Sequence, residues 1–260
     1  MRNHLIIPDN QISPGRPIQY GRWISKLIME RRPEVIVFLG DLWDFPSLSS
    51  YDVGNLAAEG KRLYLDIKSG WQFLDLIYDP LKKEQKRQKK NKHKQYLPEV
   101  HFCIGNHEER LLRFVEKTPT LEGFLTLKDL KLENYGIIVH NYLEIFNVDG
   151  VNYSHFFPRN AKGTVGMNVK AGAPSARIQA VRYHQSCTAG HAPGLDYDCT
   201  QVRGDGSRIH SLIAGSCYLH DESYRTPQGN HDWRGVVYKH NVENGEYDPE
   251  FISLKRLEKL

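Results

Sequence analysis

Residues 34–44 read Glu-Val-Ile-Val-Phe-Leu-Gly-Asp-Leu-Trp-Asp, an almost unbroken apolar and β-branched run that stops at a Gly-Asp pair. A run without polar alternation marks a strand covered on both faces, as in the parallel sheets of α/β proteins. Just upstream, Pro17 sits early in a stretch whose Trp23, Ile24, Leu27 and Ile28 share one helical face, so 17–31 is expected to be a helix. Residues 2–7 read as a first strand that ends at Pro8, where the missing N–H stops a ladder. Strand, helix, strand is a βαβ unit, and its second strand runs into Gly40-Asp41.

Downstream the pattern is helical from Leu56 to about Lys94, with Leu63, Leu65, Ile67, Phe73, Leu74 and Ile77 apolar and Pro80 expected to break the run. A strand at 99–104 then ends at Gly105-Asn106-His107-Glu108, and 109–117 resumes as a helix with Leu111, Leu112 and Val115 in line. Beyond Gly136 the character changes to short strands at 137–140, 143–146 and 151–155, with Asp149-Gly150 as a hairpin signal. A helix at 174–185 and strands at 187–189, 209–214 and 236–241 follow. No repeat or linker interrupts the chain, so residues 1–260 are expected to form one domain with a basic helical insertion at about 56–97. Parallel β/α units followed by a strand-rich half point to two packed sheets flanked by helices.

Apolar residues at 40% and charged residues at 25% are those of an ordinary globular chain and argue against disorder. The longest apolar runs fall far short of the ~20 residues that span a bilayer, and 1–7 lacks the apolar region of a signal peptide. A cytoplasmic protein without membrane contact is the expectation. Cys103, Cys187, Cys199 and Cys217 form no C-x-x-C pair, which argues against a zinc knuckle or redox motif. The net charge of +4 is local: 82–94 holds eight Lys/Arg against one Glu, and the remainder has 27 basic and 30 acidic residues, a net of −3. Clustered Lys of this kind is either a solvated helix face or a contact for a nucleic-acid backbone through Lys82 to Lys94. It lacks interleaved aromatics for base stacking.

Metal-ligand residue types recur where the expected strands end, which is where α/β proteins place their sites. Asp9 follows the first strand, Asp41 and Asp44 the second, Asn106 and His107 the third, His155 a later one and His191 another. Carboxylate, amide and imidazole together suit a divalent cation, and two such ions need a bridging carboxylate, for which Asp41 is the natural candidate. His140 also sits at a strand end and competes with His155, which is preferred because it follows a hairpin turn and lies nearer the next motif. A second Gly-Asn-His-Asp at 229–232 has no apolar strand before it and reads as loop. The remaining histidines, His4, His93, His101, His184, His210, His220, His231 and His240, carry no ligand geometry of their own.

In this order the motifs resemble those of the calcineurin-like metallophosphoesterases, D-x-H, G-D-x-x-D, G-N-H-[D/E], a lone His and G-H-x-H. Here they read Asp9-Asn10-Gln11, Gly40-Asp41-Leu42-Trp43-Asp44, Gly105-Asn106-His107-Glu108, His155 and Gly190-His191-Ala192-Pro193. The resemblance implies a four-layer α/β/β/α sandwich and hydrolysis of a phosphate mono- or diester by a metal-bound hydroxide, as a phosphatase, phosphodiesterase or nuclease. It implies one complete metal site of Asp41, Asn106, His155 and His191, and a second built on Asp9, Gln11 and shared Asp41. Gln11 and Pro193 there replace imidazoles, so Gln11 can lend an oxygen and Pro193 nothing. Asp196 or Asp198 are substitutes to consider. One tight and one weaker site follow, with Mn²⁺ the expected ion and Fe²⁺, Zn²⁺ or Mg²⁺ alternatives. By the same resemblance His107 is the proton donor to the leaving group and Asp44 orients its ring. Relatives with an Arg after the second Asp hold phosphate there; this chain has Phe45, which leaves Arg110 and Arg159 as candidate phosphate contacts, each with the alternative of a solvated or salt-bridged side chain. The depleted second site also leaves open a metal-binding, catalytically weak or inactive member that binds nucleic acid or protein.

Overall fold

The computed structural model describes residues 1–49, 54, 59–158, 175–222 and 226–260. The opening βαβ unit forms as expected, with β1 (Arg2–Ile7), α1 (Tyr20–Arg31) and β2 (Val35–Phe38). Alternate residues of the two strands serve different layers: Leu5, Ile7, Ile36 and Phe38 pack under helices, while Ile6, Val35, Val37 and Leu39 face a second sheet. Burial on both faces explains the unbroken apolar run.

The first sheet continues through β3 (Glu99–Cys103) and β4 (Ile138–His140), both parallel to their neighbours, and closes on its other side with antiparallel β10 (Gly235–Glu243) and β11 (Glu246–Ser253). Its order is β11-β10-β1-β2-β3-β4. The second sheet comprises β5 (Phe146–Val148), β6 (Val151–Ser154), β7 (Cys187–Ala189), β8 (Leu195–Val202) and β9 (Arg208–Ala214), in the order β5-β6-β7-β9-β8. Helices α1 and α2 (Leu63–Lys90) cover the outer face of the first sheet, α3 (Glu109–Lys117) follows β3, and α4 (Ala176–Tyr183) covers the second sheet. The chain is therefore an α/β sandwich of two mixed sheets, the four-layer arrangement expected. Between the sheets lies a mostly apolar layer that encloses His4, whose Nδ1 meets Tyr153 OH at 2.7 Å, and Lys239, whose amine reaches Thr188 Oγ1 at 2.5 Å and Tyr153 OH at 3.3 Å.

Several boundaries differ from the sequence expectation. Pro80 does not break its helix; α2 runs through it for 28 residues. Pro80 is exposed, so the carbonyl it leaves unbonded lies on the solvent side, while Phe73, Leu74, Ile77, Tyr78 and Leu81 hold the buried side on both flanks. The strand expected at 143–146 starts only at Phe146, because Leu143 adopts a left-handed φ of 65° in a turn. Strands β8 and β11 were not foreseen; both are half-exposed and pair antiparallel to a buried neighbour, so their polar side chains mask the strand pattern. Within the described residues, no helix is long and apolar enough to cross a membrane.

The basic run ends α2 and the turn after it, and Tyr96 OH donates to Pro33 O at 2.6 Å, just before β2 begins. That is the N-terminal edge of the parallel strands. Asp66, near the start of α2, is about 30 Å from Lys86 at 1.5 Å per helical residue.

Candidate metal centre

The loops that leave β1, β2, β3, β6 and β7 converge at one edge of the sandwich. Backbone bonds align the first two: the N–H groups of Asn10 and Gln11 donate to Asp41 O at 3.1 and 2.9 Å, and Ile12 N–H to Leu42 O at 2.7 Å. Gln11, Asp41 and His191 all have left-handed φ values, of 46°, 47° and 64°. Such conformations cost non-glycine residues roughly 1–2 kcal/mol each, and they cluster where a site requires a particular side-chain direction. The motif glycines answer to space. A Cβ on Gly105 would lie 2.2 Å from Asp41 Oδ1, and one on Gly40, at φ 94°, would lie 2.9 Å from His155 Nδ1.

Asp41, His155 and His191 form a group whose ligand atoms lie within 4.8 Å of one another, with Asp41 and His155 buried. Asn106 completes it: its Oδ1 is 2.7 Å from His191 Nδ1 and 3.0 Å from His155 Nε2. His155 Nδ1 sits 2.7 Å from Leu39 O and so donates there, which leaves Nε2 facing Asn106 Oδ1 and Asp41 Oδ2, the latter at 3.3 Å. A neutral His155 would thus turn a lone pair toward two oxygens. A cation satisfies that cluster, and so does a proton. Burial opposes the charged ring, yet Asp41 and Asp9 raise His155 to about 9, while burial and His155 lower His191 to about 4. This donor set fits a divalent ion.

Asp9 stands beside the group. Its Oδ1 accepts the His191 N–H at 3.0 Å, and burial together with Asp41, against the pull of His155, raises its carboxyl to about 7. Gln11 Oε1 is buried with no hydrogen-bond partner among the described residues, as is Ser216 Oγ, next to Cys217, whose N–H donates to Asp9 O at 2.7 Å. An orphaned amide oxygen suits a hard cation better than it suits packing. Asp196 does not join this side of the centre: its Oδ2 accepts the Ala176 N–H at 2.7 Å, at the start of α4. Asp198 bonds Thr200 on β8.

His107 lies against the same carboxylate. Its N–H donates to Asp41 Oδ1 at 2.9 Å, and its Nε2 is 3.8 Å from Asp41 Oδ2. Nδ1 meets Asp44 twice, at the backbone oxygen (2.9 Å) and at Oδ1 (3.1 Å). Burial lowers the imidazole's basicity, but Asp41 and Asp44 outweigh it and raise the pKa above its ordinary value. Arg110 Nη2 approaches Nε2 at 3.0 Å while Nη1 donates to Asp44 O at 2.8 Å. A cleft of about 820 Å³ opens from His107 and Arg110.

Of the other candidates, His140 is drawn away from the centre, stacking on Phe146 with centroids 3.5 Å apart and meeting His101 at 3.0 Å. Gly-Asn-His-Asp at 229–232 is a short turn in which Asn230 bonds the backbone of Glu222. Arg159 lies outside the described residues. Sequence reasoning missed Glu108 as a contributor: fully buried, it accepts the N–H groups of Asp41 (2.9 Å), Trp43 (3.0 Å) and Gly105 (2.9 Å). A carboxylate placed directly after Asn106 and His107, in a motif with no Lys or Arg to pair it, is the signal that was available.

No protein-family model matches the chain, and no curated protein matches it in sequence.

Proposed function

We propose that the chain is a metal-dependent phosphoesterase that hydrolyses a phosphate mono- or diester. The observation that carries this reading is the adjacency of two units: the metal-binding group of Asp41, Asn106, His155 and His191, and an imidazole, His107, oriented by Asp44 and in contact with Arg110. The motif resemblance supports the same assignment.

Asp41, Asn106, His155 and His191 would hold one divalent ion, and Asp9 with Gln11 would assist a second that shares Asp41. Two imidazoles, an amide and a carboxylate suit Mn²⁺, Fe²⁺ or Zn²⁺ at the first position, and oxygen ligands suit Mn²⁺ or Mg²⁺ at the second. Such ions supply Lewis-acid charge to phosphate oxygens and lower the pKa of water. With Nδ1 held by Asp44, His107 works through Nε2, whose proton passes to the departing oxygen. Arg110 donates to that nitrogen only while it is unprotonated. Once Nε2 carries a proton, the guanidinium, still anchored on Asp44 O, is released to meet a phosphate oxygen.

The test is hydrolysis of 4-nitrophenyl phosphate and bis(4-nitrophenyl) phosphate by Mn²⁺-loaded protein, with Asp41→Asn as control. Turnover of either ester that Asp41→Asn abolishes is the expected result. A second reading, a metal-binding protein with little or no turnover that binds nucleic acid or protein, is favoured by Pro193, which has no ligand atom in its side chain. Absence of turnover with both esters, unchanged by Asp41→Asn, would select it.

A further inference from the structure

The cleft beside His107 is larger than one phosphoryl group requires. At about 820 Å³ it falls within the range of sites that enclose a whole ligand. Its lining combines an apolar stretch, Pro14, Pro46 and Leu65, with Arg16 and Arg62. Of the four carboxylates that share the wall, three are committed elsewhere, and the fourth, Glu59, pairs with neither arginine among the described residues. Asp44 holds His107, Asp66 Oδ2 accepts the Ser47 N–H at 3.0 Å, and Glu222 Oε1 meets His220 Nε2 at 2.5 Å. The two arginines are not so engaged: Arg62 donates to the carbonyl of Lys61 at 2.8 Å, and neither guanidinium is paired with a carboxylate among the described residues. Two uncompensated guanidiniums in one cleft are an anion site, because the fork of N–H donors matches phosphate oxygens and stays charged at any working pH.

Resting on the phosphoesterase reading above, we propose that the substrate is a phosphoester carrying a second phosphate, of the nucleotide or oligonucleotide class. One phosphate occupies the metal centre beside His107 and Arg110. The sugar and base lie on Pro14, Pro46 and Leu65, and the flanking phosphate is held by Arg16 and Arg62. The basic run at 82–94 is not part of this site, since it sits at the opposite edge of the sheet.

The experiment is calorimetric binding of thymidine 3′,5′-bisphosphate, thymidine 3′-monophosphate and thymidine 5′-monophosphate to Mn²⁺-loaded protein, wild type at both arginines and Arg16→Gln/Arg62→Gln, each carrying His107→Ala so that no ligand is hydrolysed during the titration. Neither arginine is buried, so circular dichroism should report an intact fold for the variant. The bisphosphate should bind the protein with both arginines at least about ten-fold tighter than either monophosphate, and that ratio should fall to near one in the variant. A ratio near one with both arginines present, or one that survives the double substitution, overturns the proposal. The ratio does not depend on turnover, so a protein that hydrolyses no aryl ester yet shows it would retire the enzyme reading and keep the anion site.

Discussion

Replacing Glu108 with Gln should loosen the metal centre without touching a metal ligand. One carboxylate accepts from Asp41, Trp43 and Gly105, and so binds the loop that bears Asp41 to the loop that bears Asn106. A Gln amide has one acceptor oxygen, and its NH₂ must then face at least one of these buried N–H groups. A buried donor without an acceptor costs about 1–3 kcal/mol, so Glu108→Gln should destabilise by about 2 kcal/mol and Glu108→Ala, which strands all three donors, by about 6 kcal/mol. The gap depends on pH. Burial and the neighbouring Asp41 raise the Glu108 carboxyl to about 7, above its ordinary value of 4.5. The stability it contributes is fully present below about pH 4.5 and is lost as pH rises through 7, so wild type and Glu108→Gln should converge over that window in metal-free protein. Urea unfolding at about pH 5.5 and pH 8 measures this, and Mn²⁺ affinity measures the loops, with a loss of about ten-fold or more expected for a supporting residue. Equal unfolding midpoints at the lower pH, with equal metal affinity, would refute the clamp.

His107→Ala should lower turnover of an aryl phosphodiester by about 10²–10⁴-fold while leaving bound metal unchanged; loss of metal would show that the ring is a ligand. Because His155 is held protonated to about 9, metal uptake near pH 7.5 should release about one proton, read by calorimetry in two buffers of different ionisation heat. The same raised value stabilises metal-free protein fully below pH 6.5 and is lost as pH rises through 9, so its melting temperature should fall over that window from this cause, and bound Mn²⁺ should abolish the fall. Lys239→Met should be neutral or stabilising by about 1–3 kcal/mol at pH 7, since burial drives the amine's pKa well down and a methionine needs no desolvation; a loss above about 3 kcal/mol would show that the Thr188 and Tyr153 bonds outweigh that penalty.

The opening βαβ unit was legible because its apolar runs are buried on both faces, and the residues grouped around Asp41 were legible as candidates because they follow strand ends. Local pattern fails where tertiary packing decides. Pro80 stays inside α2 because the helix is held on both sides of it by buried residues, and β8 reads as a polar segment because only one face is covered. His155 is preferred to His140 on its hairpin turn and the nearness of the next motif, and sheet register supplies the physical reason, since both sit at the ends of short strands and only His155 projects toward Asp41. The position of Glu108 in its motif was a signal, but its role as a clamp and that of Arg110 as a partner of His107 were not legible, because their contacts are with segments more than 60 residues away or with a ring whose orientation depends on Asp44.

Titration of metal-free protein with Mn²⁺ tests the central claim most directly. The four-ligand group of Asp41, Asn106, His155 and His191 predicts one tight equivalent, followed by a weaker one at Asp9 and Gln11 that Gln11→His tightens. His191→Ala should remove the tight equivalent while circular dichroism reports an intact fold. Two equal sites, or a tight equivalent that survives His191→Ala, would contradict the account.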